Sequence, residues 1–375
     1  MRKFFQKIHL WLSIPFGILI TIICLSGAIL VFEQEITRAL NPHIYQTESK
    51  GQSAPLSPSE LAERVMQQTG NSLTLTSLEF SGNEDGVVFA GFKEFEKKKL
   101  SINPYTGEVN GWTVSYTFFQ TMRKVHRWLL DPPARKGEKS VGKVIVGVTT
   151  FVMVIILVTG LFIWVPRNRK VLKNRLKVSF TKGWRRFWYD THVTLGFYAL
   201  IFLLLMALTG LTWSFGWYRT MAYGLFGGGN SSNVTSNTST SERKKKESFD
   251  YAVWNTAFAE ICSHYPRFKS VTLAQGSAQV ISNPDTHMRQ ADKITFDRHS
   301  GEIKEISYYK DVPRSKTLKG WFYAFHTGAW GGIITKVLYF LAALIGGILP
   351  LTGYYLWLKK LWRKQGHSQK TSFSA

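Results

Sequence analysis

Four long apolar runs divide this chain, and each is long enough to cross a lipid bilayer as a helix. About 20 apolar residues in helical conformation span the hydrocarbon core of a bilayer. None of the four runs contains Asp, Glu, Lys or Arg. We therefore predict an α-helical membrane protein in which residues 1–32 form a short N-terminus and the first transmembrane helix. The other three transmembrane helices are predicted over residues 144–165, 192–217 and 337–358.

The formal charge of the chain is +23, and the distribution of that charge predicts the topology. If the N-terminus is cytoplasmic, the inside segments 1–9, 166–191 and 359–375 hold 17 Lys and Arg but one acid, Asp190. This excess of basic residues on short inside segments is the positive-inside pattern. We therefore predict cytoplasmic N- and C-termini, a basic cytoplasmic loop at 166–191 and a cytoplasmic tail at 359–375. No base-reading motif accompanies the charge, so we expect contact with membrane lipid and no nucleic-acid partner.

Two segments of similar length, residues 33–143 and 218–336, lie on the outer side in this topology, and both are predicted as small α+β domains. Each has one helical stretch followed by alternating, strand-like runs. Both contain a hairpin signature, LSINPYTGEVNGW and ITFDRHSGEIKEI, in which an Asn or Asp starts the turn and a Gly follows. A Gly- and Ser-rich stretch at 227–248 interrupts the second domain and is typical of a flexible loop.

The order span, outer domain, span occurs twice, which indicates two sequence repeats. Both repeats begin on the inside, so an axis along the membrane normal should relate them, and equivalent residues should lie at equal depth. His9 precedes Gly27 by 18 residues in the first repeat, and His192 precedes Gly210 by 18 residues in the second. Eighteen residues are about five helical turns, so each glycine lies on the same helix face as its histidine.

Four histidines therefore form two predicted pairs, His9 with His192 at the inner face and His126 with His326 at the outer face. Two facing imidazoles can supply both axial ligands of a haem iron, an arrangement that favours electron transfer over oxygen chemistry. A zinc site would need three or four clustered ligands. No C-x-x-C-H motif is present, so the predicted cofactors are two non-covalent haem b groups. A histidine at a span boundary can also be merely interfacial, but four in a duplicated arrangement favour a functional role.

Ser-Gly or Thr-Gly pairs occur near the end of all four spans, with the glycines at Gly27, Gly160, Gly210 and Gly353. The first and third are predicted beside the outer haem, and the second and fourth beside the inner haem, where bare backbone would make room for the macrocycle. Ordinary small-residue packing between helices explains the same pattern equally well. Arg127 can pair with a haem propionate or can be an interfacial residue.

Several segments of the chain resemble those of the PepSY-associated transmembrane proteins of bacteria. They are the two entry spans, VHRWLL, FHTGAWGG, the span endings LVTGLFIWVPR and PLTGYYLWLKK, and the NPYTGEVNGW hairpin. The resemblance covers nearly the whole chain and implies an inner-membrane protein with PepSY-like periplasmic domains. It also implies a two-haem reductase of ferric siderophores, with the four paired histidines as axial ligands. The chain departs from the family pattern after His192, where Val193 replaces a frequent arginine.

The paired histidines predict a membrane haem protein that transfers electrons, and the family resemblance implies that it is a haem-dependent ferric-siderophore reductase of iron uptake. The sequence has no nucleotide fingerprint such as G-x-G-x-x-G after a strand, so a separate cytoplasmic reductase or a quinol is expected as the electron donor. The predicted acceptor is iron(III) in a siderophore. The alternative is a non-redox, membrane-anchored module whose PepSY-like domains bind a peptide or regulate a peptidase.

Overall fold

The computed structural model describes residues 1–47, 54–70, 72–135, 138, 140–166, 168–228, 249–283 and 290–372, with side chains as far as residue 362. The helices are, in chain order, α1 (Arg2–Val31), α2 (Glu33–Leu40), α3 (Pro42–Tyr45), α4 (Pro58–Gln68), α5 (Thr117–Trp128), α6 (Val141–Trp164), α7 (Arg169–Arg175), α8 (Trp184–Ser214), α9 (Gly216–Leu225), α10 (Val253–His264), α11 (Arg314–Thr327) and α12 (Gly332–Ser372). The strands are β1 (Leu75–Ser81), β2 (Val88–Phe92), β3 (Lys99–Ile102), β4 (Val109–Trp112), β5 (Ser270–Ala274), β6 (Ser277–Ile281), β7 (Asp292–Phe296) and β8 (Ile303–Ser307).

The chain divides into two compact units, and each is built from segments that are distant in sequence. The helical unit consists of Met1–Glu33, Thr117–Leu225 and Trp321–Ala375. The sheet unit consists of Gln34–Tyr116 and Phe226–Gly320.

Four helices of the helical unit, α1, α6, α8 and α12, are long and apolar enough to cross a membrane. Each of the four predicted spans corresponds to one of these helices, as expected of a multi-pass membrane protein. Helices α1, α6 and α8 end one to three residues before the predicted C-terminal boundaries at 32, 165 and 217. Both α1 and α8 pack against α6 and against α12. The helices α1 and α8 therefore lie opposite each other across a four-helix bundle.

Small residues let the spanning helices approach closely near the middle of the bundle. A Cβ atom on Gly346 of α12 would lie 2.6 Å from the Leu203 side chain of α8. A Cβ atom on Gly17 of α1 would lie 2.6 Å from the Tyr354 hydroxyl of α12, which donates a hydrogen bond to the Ile14 carbonyl. Lipid provides no hydrophobic driving force between helices, so close packing of this kind stabilises a membrane bundle. The buried residues at the centre of the bundle are Ile20, Cys24, Met153, Leu157, Ala199, Leu203 and Ala342.

The helices extend beyond the apolar runs that predicted them. The third spanning helix begins at Trp184, within the segment predicted as a basic loop, and α12 continues to Ser372. Hydropathy marks only the part of a helix that lies in hydrocarbon, whereas backbone hydrogen bonding continues into polar flanks. The segments predicted as outer domains also contain helix α5 and the part of α11 from Trp321 to Thr327. Both of these belong to the helical unit.

The sheet unit is one antiparallel sheet in the strand order β4-β3-β2-β1-β5-β6-β7-β8. Strands β1 and β5 pair from Ser77 with Ala274 to Ser81 with Ser270, which joins the two halves. The prediction of two separate α+β domains is therefore corrected: each predicted domain contributes four strands to one continuous sheet. Pairing of β1 with β5 removes two exposed strand edges, which are otherwise sites for unwanted association. The predicted flexible loop at 227–248 lies outside the described residues except for its first two.

The helix cap and the hairpin turns of the sheet unit are each formed by a few consecutive residues, and both predicted hairpins are confirmed. Helix α4 begins with a capping box in which the Ser57 hydroxyl and the Glu60 carboxylate bond to each other's backbone N–H groups. The two predicted hairpins are β3–β4 and β7–β8. In the second hairpin, Oδ1 of Asp297 accepts hydrogen bonds from the backbone N–H groups of His299 and Ser300, and Gly301 has a φ of 83°. A left-handed φ of this kind favours glycine.

Candidate functional site

His9 and His192 face each other from opposite helices of the bundle. His9 lies near the N-terminus of α1, and His192 lies in the first third of α8. Their ring centroids are 6.4 Å apart, with an angle of 87° between the ring planes. The helices α1 and α8 are diagonal neighbours, so the two imidazoles approach each other through the interior of the bundle.

A second histidine pair lies at the other end of the spanning helices. His126 is on α5, and His326 is near the C-terminus of α11. Their ring centroids are 6.0 Å apart, with an angle of 46° between the ring planes. His326 also packs edge-on against Trp213 of α8, with ring centroids 5.3 Å apart. The structure thus brings together both pairs that the repeat argument predicted.

Each of the four imidazoles has its Nδ1 atom bonded to a backbone carbonyl of a spanning helix. The four Nδ1–O pairs are His9 with Ile156 at 3.1 Å, His126 with Ile23 at 2.8 Å, His192 with Leu349 at 3.2 Å and His326 with Met206 at 2.9 Å. A carbonyl oxygen can only accept a hydrogen bond, so Nδ1 is the protonated ring nitrogen in each case. The lone pair of a neutral imidazole is then on Nε2, which is the nitrogen available to a metal ion.

A hydroxyl group accompanies each of these carbonyls. Three threonine Oγ1 atoms lie within hydrogen-bond distance of Nδ1: Thr159 at 3.2 Å from His9, Thr352 at 2.8 Å from His192 and Thr209 at 3.3 Å from His326. Ser26 occupies the equivalent position near His126, and its hydroxyl donates to the carbonyls of Ile22 and Ile23. Each threonine also donates to the carbonyl that receives the histidine bond, so its oxygen can accept a second bond from Nδ1. These contacts restrain both the tautomer and the orientation of the ring.

The glycine after each hydroxyl residue packs against an imidazole. A Cβ atom on the glycine would meet Cε1 of a histidine at 2.9 Å for Gly27 with His126, 3.2 Å for Gly210 with His326, 3.4 Å for Gly160 with His9 and 3.6 Å for Gly353 with His192. Optimal contacts between carbon atoms lie at about 3.5 to 4.0 Å. The structure therefore places an imidazole against the bare backbone, where the sequence predicted a macrocycle.

The residues that orient the imidazoles were missed by sequence reasoning, because their contribution is a main-chain carbonyl. The acceptor is always the residue four positions before the glycine: Ile23, Ile156, Met206 and Leu349. Their side chains are ordinary apolar side chains of a spanning helix. The available signal was the Ser-Gly or Thr-Gly pair one turn later, which marks where a helix can accept a ring against its backbone.

The electrostatic environment of the His126–His326 pair favours neutral rings. Burial lowers the pKa of His126, and the neighbouring Arg127 charge lowers it further. Burial, and secondarily the proximity of His126, lower the pKa of His326 to about 4. Both imidazoles are therefore uncharged at neutral pH, which is the state that coordinates a metal.

The donor set at each pair fits a metal that needs two ligands from the protein. With about 2 Å from each imidazole nitrogen to a shared metal ion, ring centres on opposite sides of the metal are about 6 Å apart. The observed separations of 6.0 and 6.4 Å match this value. Among the described residues, no three His, Cys, Asp or Glu side chains are grouped so as to hold a metal ion. The two neutral imidazoles of each pair could hold a metal ion that obtains its remaining ligands from another group, and a haem iron meets this description.

The predicted site residue Arg127 directly follows His126 on α5. Its guanidinium group is 4.3 Å from the centre of the Trp128 ring, as in a cation–π contact. Burial lowers the pKa of Arg127, and the nearby charge of Arg123 adds to this effect. Arg123 itself forms an ion pair with Glu33.

Comparison with known proteins agrees with the architecture. No protein in the curated set that was searched matches the chain. The family model of the PepSY-associated TM region matches residues 6–360, which include the spanning helices between Gln6 and Lys360, both histidine pairs and the sheet unit. The chain therefore belongs to the PepSY-associated transmembrane family.

Proposed function

We propose that this protein is a membrane reductase that holds two haem b groups and carries electrons across the bilayer to a ferric siderophore. The observation that carries the proposal is the fourfold repetition of one arrangement. Each of four histidines donates its Nδ1 proton to a helix carbonyl and packs against a glycine, and the four rings form two facing pairs. A single interfacial histidine needs none of these features.

The chain's own residues would bind and orient the cofactors at these pairs. His9 and His192 would bind the inner haem iron through Nε2, and His126 and His326 would bind the outer one. Haem with two imidazole ligands has no open coordination position, so it supplies one-electron transfer without bond formation to substrate. Carbonyl bonds to Nδ1 raise the basicity of a ligating imidazole and hold the ring in place. Arg127, which follows His126 on α5, would pair with a propionate of the outer haem, because a guanidinium group matches a carboxylate.

The depth of the two pairs supports electron transfer across the membrane. His9 and Gly27 are 18 residues apart on α1, which is roughly 27 Å along the helix axis. Gly27 contacts His126, so the two pairs lie near opposite faces of a bilayer core about 30 Å thick. The positive-inside pattern assigns the His9–His192 pair to the cytoplasmic face. Electrons would therefore enter from a cytoplasmic reductase or a quinol and leave on the periplasmic side, where the sheet unit is assigned.

The proposed acceptor class follows from the family resemblance together with the chemistry of iron. Siderophores hold iron(III) with hard oxygen ligands, whereas iron(II) binds such ligands more weakly. Reduction of the bound metal would therefore release iron for uptake. Iron(III) in a siderophore is the substrate of this reaction, and the two haem groups are the resident cofactors.

We expect the protein purified from haem-replete cells to contain two haem b groups per chain, with the spectrum of low-spin, six-coordinate iron. The expectation follows from two pairs of neutral imidazoles and no covalent attachment motif. The haem content is measured by extraction and the spectrum by visible absorption. A colourless preparation would exclude the reductase and leave the non-redox binding module as the better description.

Direction is tested in vesicles that contain the protein in one orientation. After reduction of both haem groups, a membrane-impermeant ferric siderophore should reoxidise them only from the side that carries the sheet unit. The side is identified by the protease accessibility of a tag attached to the C-terminus. Reoxidation from the side of the basic loop alone would reverse the assigned topology.

A further inference from the structure

Two arginines converge on the C-terminal end of α6, close to the His9–His192 pair. Nη2 of Arg2 donates to the Ile163 carbonyl at 2.9 Å, and Nη1 of Arg175 donates to the same oxygen at 3.1 Å. Arg175 also donates to the Trp164 carbonyl. Burial lowers the pKa of Arg175, and the charge of Arg2 lowers it further, because two like charges lie close together.

Helix capping alone does not balance these charges. The C-terminus of a helix carries the equivalent of about half a negative elementary charge, whereas two guanidinium groups carry two full positive charges. Neither arginine forms an ion pair with a carboxylate in the part of the chain that the structure describes. The inside segments have only one acid, Asp190, and its carboxylate is already bonded to Arg186 at 2.8 Å. Among the described residues, no carboxylate is therefore left as a counter-ion for Arg2 and Arg175.

Further hydrogen-bond donors near this end of α6 lack an acceptor. Nε of Arg2 and Nε1 of Trp164 are buried without a partner among the described residues. The Thr191 hydroxyl is also buried and unpaired, and that side chain is only 8% exposed. Thr191 lies one turn from Thr194, which donates to the Arg175 carbonyl at 3.1 Å, so it is on the side of α8 near Arg175. Buried polar groups in proteins are normally hydrogen-bonded, so this set of donors indicates an anionic ligand.

The donors lie on the same parts of α1 and α6 as the His9 contacts. Arg2 precedes His9 by seven residues on α1, which is about two turns, so both side chains lie on the same helix face. Trp164 follows Gly160, the glycine that contacts His9, by about one turn of α6. Both arginines are therefore displaced from the histidine pair toward the cytoplasmic end, on the side where His9 lies.

We infer that Arg2 and Arg175 form a carboxylate-binding site for the propionates of the inner haem. This inference rests on the proposed function, since it assigns a second contact surface to the same cofactor. Arginine suits the role, because its planar guanidinium group donates two parallel hydrogen bonds to a carboxylate. The site would fix the rotation of the macrocycle about the axis through the two imidazoles, which the histidines alone leave undetermined. The phosphate of a phospholipid headgroup presents similar chemistry and is the competing occupant.

Haem and haem dimethyl ester distinguish the two occupants, because the ester has the same iron and macrocycle but no carboxylates. Both are titrated into the apoprotein of a His126→Ala variant, in which only the His9–His192 pair can bind. We expect this protein to bind haem with an affinity roughly 10-fold to 100-fold higher than its affinity for the ester, because hydrogen bonds to charged groups contribute a free energy of this size. The same variant with Arg2→Gln and Arg175→Gln should lose that preference and still bind the ester. Binding of the ester shows that the variant is folded.

A matched control removes the same charge from neighbouring positions. Arg169→Gln with Lys173→Gln takes two positive charges from exposed positions on α7, and the preference for haem should be unchanged. If the Arg2 and Arg175 variant binds neither form, each single Gln variant is titrated in the same way.

Three results would overturn the inference. The first is that the His126→Ala protein, with both arginines present, binds haem and the ester with equal affinity. The second is that both single Gln variants prefer haem over the ester as strongly as that protein does. The third is that the variant with Arg2→Gln and Arg175→Gln still prefers haem over the ester but loses co-purified anionic phospholipid. That result would assign the arginines to a lipid phosphate. Failure of the His126→Ala protein to bind either form would instead refute the proposed function itself.

Discussion

Replacing His192 with alanine should remove roughly half of the bound haem and leave the other half spectroscopically unchanged. The reason is that His192 and His9 form one pair with centroids 6.4 Å apart, whereas His126 and His326 form a separate pair. His9→Ala should give the same result as His192→Ala, because each removes one ligand of the same iron. Haem content and the absorption of the remaining low-spin haem measure the outcome.

Combinations of substitutions test the pairing more sharply. The double variant His9→Ala with His192→Ala should lose no more haem than either single variant, whereas His9→Ala with His126→Ala should lose both haem groups. His264→Ala, an exposed position in the sheet unit, is the control and should retain full occupancy. Complete loss of haem from His192→Ala, or no loss, would contradict the assignment of ligands.

Alanine substitution of the four glycines should affect only the histidine pair that each glycine contacts, with a severity that follows the distance from the new Cβ atom to the imidazole. Gly27→Ala should be the most severe, because the new Cβ atom would lie 2.9 Å from Cε1 of His126. Gly353→Ala should be tolerated, because its Cβ atom would lie 3.6 Å from His192 in ordinary contact. Overpacking of this kind costs about 1 to 3 kcal/mol. That cost corresponds to roughly a 5-fold to 150-fold loss of haem affinity at the affected site.

Leucine variants separate two explanations for these glycines. If each glycine makes room for an imidazole and its haem, Gly210→Leu should disturb the His126–His326 site, although His192 lies on the same helix. Gly353→Leu should disturb the His9–His192 site and spare the other. If the glycines serve only general helix packing, both substitutions should weaken the whole bundle and release both haem groups together. Equal loss of haem from both histidine pairs after either substitution would favour the explanation by general helix packing.

Much of the site was predictable from sequence because its elements are local or periodic. The four spans follow from apolar runs without charge, since the hydrocarbon core requires an uncharged helix of fixed length. The 18-residue spacing of His9 to Gly27 and of His192 to Gly210 places histidine and glycine on one helix face whatever the surroundings. The turn at Asp297 and Gly301 was likewise predictable, because a side-chain cap and a left-handed φ are properties of a few consecutive residues.

Other features depended on segments that are far apart in the chain. The pairing of β1 with β5 joins two predicted domains into one sheet, and no local pattern specifies which strand edges meet. The carbonyl that orients His9 belongs to Ile156, 147 positions away, and a main-chain acceptor has no sequence signature. The convergence of Arg2 and Arg175 on Ile163 is similarly invisible in a run of basic residues. The sequence by itself determined which segments span the membrane and which residues share a helix face, because these depend on hydropathy and helical period. Only the tertiary structure decided which helices are neighbours, and therefore which carbonyl, glycine and guanidinium group each histidine pair meets.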